Sequence, residues 1–208
     1  MYKIMGRTSS SNVQKVLWCC AELGIEYERE DAGMQFGKVD TPEFFALNPN
    51  RRVPVLIEGD FVLWESNSIM RYLAGKHDPD GKLRPADAQV RASAQRWMDW
   101  QLSILGPQFT GLFHGLARTA PENRDADAIA KSRDLTEHNL EMLDTQLGKT
   151  EYIAGDALSY GDIPVGIYAY RWYLFEGIER KPLPNLERWY AALCERQHYR
   201  DHVMVGFG

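Results

Sequence analysis

The sequence predicts an α/β domain followed by an all-α helical domain, and three observations carry that expectation. Over the first third, short apolar runs alternate with helical patterns in the order β-α-β-α-β-β-α, as in a compact α/β layer. From Lys76 to Ala86 the chain reads KHDPDGKLRPA, poor in large apolar residues and rich in Pro, Gly and charge, which is the composition of a linker. Beyond Asp87 no strand alternation returns, and every periodic segment has helical spacing. Residues 1–76 are therefore expected to form the first domain, 77–86 a linker and 87–208 the helical domain.

Each element has its own signal. Tyr2 to Met5 is a short apolar strand, Asn12 to Leu23 a helix stopped by Gly24, and Ile25 to Arg29 a second strand. Thr41-Pro42 opens a short helix to Leu47, because Pro is tolerated at the first helical position; Asn48-Pro49-Asn50 then forms a turn. Val53–Ile57 and Phe61–Trp64, joined by Glu58-Gly59-Asp60, read as a hairpin, and Ser66–Ala74 as the helix that follows. In the second part, Val90–Leu105, Phe109–Ala117, Ala126–Leu147, Asp162–Phe175 and Leu186–Arg196 are predicted helices. Ser159 and Asp162 form a capping box at the start of one of them, with Leu158 and Ile163 as a hydrophobic staple, and Pro164 is expected to bend the helix by removing one hydrogen bond.

Composition narrows the function. The 208 residues carry 24 Lys+Arg against 29 Asp+Glu, a net charge of −5 without a long basic cluster, which argues against nucleic acid as a partner. No apolar run reaches bilayer-spanning length and MYKIMGRTSS lacks a signal-peptide pattern, so a cytoplasmic protein with no membrane partner is expected. The three cysteines, Cys19, Cys20 and Cys194, form no C-x-x-C pair and are expected as reduced, mostly buried thiols. His77, His114, His138, His198 and His202 show no metal-ligand spacing, so no metal is expected.

Three segments could carry chemistry. Gly6-Arg7-Thr8-Ser9-Ser10-Ser11-Asn12 lies between the first strand and the first helix, where strand ends and a helix N-terminus converge and an anion is favoured. Local evidence by itself favours a plain turn with an N-cap serine. Arg52-Val53-Pro54-Val55 precedes a strand; a cis bond there would turn the Val main chain toward an extended ligand, whereas base rates favour a trans proline. Glu65-Ser66 joins strand to helix, with a carboxylate for an amine and a hydroxyl for a cap.

Together with YIAGDALSYGDIPVG and PNLERWYAALCER, the segments SSNVQKVLWCCAELGIEYE and NPNRRVPVLIEGDFVLWESNSIMRYLA resemble the cytosolic glutathione transferases, in the style of the bacterial theta- and phi-like members, from about Tyr2 to His202. The resemblance implies a thioredoxin-like first domain that binds glutathione as co-substrate and a helical domain that selects the electrophilic acceptor. It places Ser10 in the catalytic position, as donor to a thiolate, with Asn12 beside the sulfur. It further assigns Val53-Pro54 to the cysteinyl main chain, Glu65 and Ser66 to the γ-glutamyl end, and Arg52 or Lys38 to the glycyl carboxylate. Phe109, Phe113, His114 and Trp172 are the acceptor-site candidates, although their helical spacing equally suits core packing. A homodimer is implied, with the Val90–Leu105 helix at the interface and Asp99 a candidate for reaching the neighbour. The chain departs from the family pattern in having Arg51 where a Gly is frequent, Gly161 where Ala is common, and Gln197-His198 for a Pro-containing pair. Ser9 and Ser11 rival Ser10. Conjugation leads; disulfide reduction, isomerisation, dehalogenation and a non-catalytic binding module remain alternatives on the same fold.

Overall fold

The computed structural model describes residues 1–206, which divide into two compact units: Met1–Ala86 with the stretch from Arg196 onward, and Asp87–Glu195. In the first unit the elements are β1 (Tyr2–Met5), α1 (Ser11–Leu23), β2 (Tyr27–Glu30), α2 (Pro42–Leu47), β3 (Val55–Glu58), β4 (Phe61–Trp64) and α3 (Ser66–His77). The sheet order is β2-β1-β3-β4. The right-hand members are antiparallel: β3 pairs with β1 through Met5 and Val55, and with β4 through Val55 and Trp64, while β1 and β2 run parallel from Tyr2 and Tyr27.

Alternation along the strands builds the two layers. Ile4 and Leu56 point to one face, where they pack with Val13, Val16 and Leu17 of α1 and Ile69 and Leu73 of α3. Their neighbours Met5 and Val55 point to the other, against Phe44 of α2. Gly24 ends α1 in the left-handed conformation at φ 65°, its N–H returned to the Ala21 and Cys20 carbonyls. Thr41 caps α2 by accepting from the Phe44 N–H at 3.2 Å, with Pro42 behind it as the sequence indicates.

The expected linker is folded. α3 runs past Ala74 to His77, and the Asp78 carboxylate then gathers the N–H groups of Lys82 and Leu83 at 2.7 Å and Arg84 at 2.6 Å, with the Leu83 side chain fully buried. One Asp and one Leu hold what Pro, Gly and charge suggested would be loose. The compact unit accordingly keeps 77–86, and from Arg196 the chain returns to it, adding helix α9 (Gln197–His202), which the sequence reading had left inside a helical domain running to 208. Residues 207 and 208 lie outside the described residues. Trp18 and Tyr199 meet edge to face at 4.9 Å, and the buried Glu22 accepts from Arg196 at 2.8 and 3.1 Å and from the Trp18 indole at 3.0 Å.

The second unit holds α4 (Ala88–Trp100), α5 (Gly106–Ala117), α6 (Ala126–Leu147), α7 (Asp162–Leu174) and α8 (Pro184–Cys194). A break between Leu105 and Phe109 was expected at Gly106-Pro107; instead a π turn over Gln101–Leu105 makes α4 and α5 continuous. The wider turn accommodates a proline that has no N–H to donate and whose ring would press on the preceding turn. Asp162 is completely buried at the start of α7, accepting from Ile153 N–H at 2.9 Å, Ser159 N–H at 2.8 Å, the Ser159 hydroxyl at 3.0 Å and the Trp189 indole at 3.0 Å. Burial pushes its carboxyl up from the ordinary value, against those four bonds. Half of the expected capping box is present: Asp162 reaches back to Ser159, but the Ser159 hydroxyl accepts from Gly161 N–H at 3.2 Å, and the helix begins at Asp162 itself. Pro164 therefore sits in the first turn, where its missing N–H has no helical partner to lose, so the bend expected from a lost bond has no cause.

Candidate active site

The site begins with a close approach that only glycine permits. At Gly6, φ is 151° and an added Cβ would lie 2.4 Å from Val13 of α1 and 3.2 Å from Val53. The end of β1, the start of α1 and the residue before Pro54 are thereby drawn together. Gly33 does the same from the other side: at φ +86°, its Cβ position is 2.9 Å from the Arg7 guanidinium and 3.7 Å from Val53.

Ser10 occupies the N-cap position of α1 with extended backbone, and its hydroxyl makes no capping bond. Its main chain is fixed on both sides, the N–H donating to the Arg7 carbonyl at 3.2 Å and the carbonyl accepting from Gln14 N–H at 2.8 Å. The side chain is nearly buried, at 9% exposure, at a helix N-terminus with no acidic residue in its first turn. An N-cap serine ordinarily spends its oxygen on the N2 or N3 amide. Here the hydroxyl is left for something else, and the positive end of the helix dipole points the same way. Ser9 is also buried, whereas Ser11 is already the first helical residue and partly exposed.

The second and third motifs arrive beside it. Val53-Pro54 is cis, as the sequence resemblance implied, and Val53 lies just beyond Val55, the last β3 residue paired to β1. The buried Asn48 holds this loop, donating to the Arg52 carbonyl at 2.8 Å and accepting from the Asn50 N–H at 3.0 Å. Arg51, at φ +53°, takes the conformation for which a glycine is usual, with its guanidinium 5.4 Å from the Phe45 ring and 3.4 Å from Asp40. Glu65 is exposed at the N-cap of α3 in a positive-φ conformation of +72°. Ser66, 4% exposed, donates to the Asn12 side-chain oxygen at 3.3 Å, which ties the start of α3 to the start of α1.

Ser10, Asn12, Val53, Pro54, Glu65 and Ser66 thus converge on one corner of the sheet. Lys38 and Arg52 are exposed, and Lys38 is committed to Glu30 at 2.6 Å. Sequence reasoning included Arg7 in the Gly6-to-Asn12 segment without a role of its own, and it showed the Asn48-Pro49-Asn50 turn but not that its first side chain brackets Arg52. Cys19 and Cys20 are completely buried free thiols in α1, and burial pushes Cys20 up to about 12, far from a reactive thiolate. In the helical unit, Phe109 and Trp172 are buried, Phe113 half-buried and His114 exposed. Trp172 is 1% exposed, with the Arg180 guanidinium 5.4 Å from its ring centroid.

A four-stranded sheet whose first helix starts at a hydroxyl that makes no cap, followed by an all-α unit, places the chain in the class of two-domain proteins with a thioredoxin-like first domain. Residues 2–75 match the glutathione S-transferase N-terminal domain and residues 96–197 the glutathione S-transferase C-terminal domain, so the chain belongs to the glutathione S-transferase family. It is 40% identical over 207 residues to glutathione S-transferase GstB of Escherichia coli K12, covering 99% of each chain. To glutathione S-transferase 3 of Zea mays it is 31% identical over 212 residues, covering 97% of this chain and 92% of that one. Among solved structures, the theta class glutathione S-transferase of Xanthomonas axonopodis pv. citri with glutathione bound superposes with a TM-score of 0.94 at 42% identity, covering 100% of this chain and 99% of that one. No described helix is long and apolar enough to cross a membrane.

Proposed function

We propose that this glutathione S-transferase activates glutathione as a thiolate and directs it at an electrophilic carbon, with Ser10 as the thiolate donor. The observation that carries the assignment is the Ser10 hydroxyl, nearly buried at the α1 N-cap yet making no cap. A free thiol titrates near ~8.5; a hydroxyl donor and a helix N-terminus both favour its ionised form and make it a nucleophile at neutral pH. Ser10 donates and does not attack. The sulfur forms its bond to carbon as the leaving group departs with the bonding electrons.

The remaining residues position the tripeptide. Val53 offers main-chain groups to its cysteinyl residue, Glu65 and Ser66 hold the γ-glutamyl amine and carboxylate, and Asn12 lies beside the sulfur, oriented by Ser66. Arg52 is the better-placed cation for the glycyl carboxylate, because Lys38 already pairs with Glu30. Glutathione bound in the Xanthomonas relative at 42% identity supports this set. The test is a parallel assay with glutathione and an aryl halide, a small disulfide and a haloalkane: turnover of the halides is expected, and turnover of the disulfide alone would replace transfer by reduction.

We also read the protein as a homodimer. Leu102 and Ile104 of the π turn and Met142 of α6 are exposed apolar side chains on the helical unit, as are Phe61 and Trp64 on β4, which suits two copies burying them in a twofold arrangement. Light scattering at micromolar concentration is expected to give twice the chain mass; a monomer rejects this assembly.

A further inference from the structure

Between α4 and the end of α6 the second unit has a cavity of about 360 Å³, lined by Arg96, Trp97, Met142, Thr145, Gln146 and Lys149. A volume of this size takes a small aromatic molecule, as concave, mostly apolar sites do. Sequence spacing builds one wall: Met142, Thr145, Gln146 and Lys149 fall at i, i+3, i+4 and i+7, a single stripe along the last turns of α6. Lys149 stands just past the helix, its N–H returned to the Gln146 carbonyl at 3.0 Å, where the negative end of the helix dipole favours a cation. On α4 the wall is Trp97, 6% exposed, with the Arg96 guanidinium 5.8 Å from its ring centroid.

The polar groups of this cavity are unevenly spent. The Thr145 hydroxyl donates to the Glu141 carbonyl at 3.0 Å and the Gln146 amide to the Ile153 carbonyl at 3.3 Å, so both serve the fold. The Trp97 indole N–H is buried and meets no acceptor among the described residues, a cost that an acceptor carried into the cavity would offset. Arg96 donates to the Ser93 hydroxyl at 3.2 Å, yet among the described residues neither it nor Lys149 pairs with a carboxylate. Both cations are exposed, and no acidic side chain lines the cavity. In a chain of net charge −5, two unpaired cations beside an apolar wall mark where an anion with an apolar body fits.

We propose that this cavity is a binding site for a flat aromatic carboxylate, built from the second unit alone and sharing no residue with the thiol site. The Trp97 ring and Met142 take the aromatic body, and Arg96 and Lys149 take the acid. The site goes beyond glutathione transfer: the ligand is held and no bond is made or broken. Met142 also belongs to the apolar surface assigned above to the homodimer, so a second copy of the chain is the rival occupant. The two cations favour a small acid over a purely apolar side chain of that copy.

Calorimetry on the full chain compares 2-naphthoate with its neutral counterpart 2-naphthamide, with S-benzyl glutathione present at saturation so that the thiol site is filled. One naphthoate per chain is expected, bound about fivefold more tightly than the amide, because exposed charge pairs are individually weak. The preference should shrink as salt is raised. R96Q and K149Q should each reduce it by about twofold, and the double variant should treat acid and amide alike. All three alter exposed side chains, so Tm and glutathione transfer should stay at their wild-type values. Equal binding of acid and amide by the wild type, a preference intact in the double variant, or no naphthoate binding once S-benzyl glutathione is present overturns the proposal. So does a naphthoate affinity that falls as light scattering shows the chain dimerising, which gives the cavity to a second copy.

Discussion

Ser66 donates its hydroxyl to the Asn12 side chain at 3.3 Å, joining residues 54 positions apart at the N-termini of α3 and α1. On the proposed assignments, a γ-glutamyl contact thereby orients a group beside the sulfur. Ser66→Ala removes a bond to a charged ligand group, worth roughly 1.5–3 kcal/mol, and should raise the KM for glutathione by about tenfold or more. Asn12→Ala should raise it less and lower kcat. The double variant should show less than the sum, because bonded residues couple by about 0.5–3 kcal/mol. Strict additivity in steady-state kinetics would show that the bond has no functional role.

Ser10→Ala, with Ser9→Ala and Ser11→Ala as controls, addresses the thiolate donor. Loss of a bond to the charged sulfur, about 1.5–3 kcal/mol, should raise the pKa of bound glutathione by about one to two units, since one unit is ~1.36 kcal/mol. Turnover should fall with it, while glutathione binding weakens little. Titration of thiolate absorbance decides: an upward shift in a control and none in Ser10→Ala moves the role to the neighbouring serine, and no shift in any of them leaves it to the helix N-terminus and Asn12.

Much of this was legible in the sequence because it depends on local chemistry. Gly24 and Thr41-Pro42 place element boundaries through the φ or hydrogen bond they supply and stand where expected, while at Glu58-Gly59-Asp60 the turn is Gly59-Asp60 and Glu58 is the last residue of β3, paired with Phe61. What escaped depends on partners far along the chain. Composition marked 77–86 as loose, yet Asp78 organises it through three N–H groups. The return of α9 to α1 depends on Glu22 meeting Arg196, 174 residues away, which periodicity does not reveal. Gly106-Pro107 signalled a break, and a π turn absorbed it. At the site, the residue types of Ser10 and Ser66 were readable, but that the Ser10 hydroxyl leaves the helix uncapped is a matter of rotamer.

Gly161 departs from the alanine common in the family, and the structure supplies a reason. A Cβ there would lie 2.8 Å from the Ala94 carbonyl oxygen and 2.9 Å from its Cα, which are backbone atoms of α4 that cannot swing aside. The φ of −65° suits any residue, so the constraint is packing. Gly161→Ala should destabilise the protein by about 1–3 kcal/mol, lowering Tm by several degrees in a thermal melt. An unchanged Tm would mean that α4 can retreat.

Glu22 and Arg196 set an acid limit on the first unit. Burial by itself would raise the Glu22 carboxyl, but the hydrogen bonds from Arg196 and Trp18 outweigh it and hold the group below its ordinary 4.5. A carboxyl whose folded value lies below its unfolded one contributes stability above the unfolded value, and that contribution is lost as pH falls through the folded value. Arg196→Gln should therefore cost about 1–3 kcal/mol at pH 7, chiefly by leaving a buried carboxylate with one donor fewer. The difference from the wild type should shrink as the pH falls below about 4.5, because a protonated Glu22 no longer needs the guanidinium. Denaturant titrations of both proteins at pH 7 and at successively lower pH measure this. A difference that stays constant across the range would assign the effect of Arg196 to packing of α9 against α1 and not to its charge.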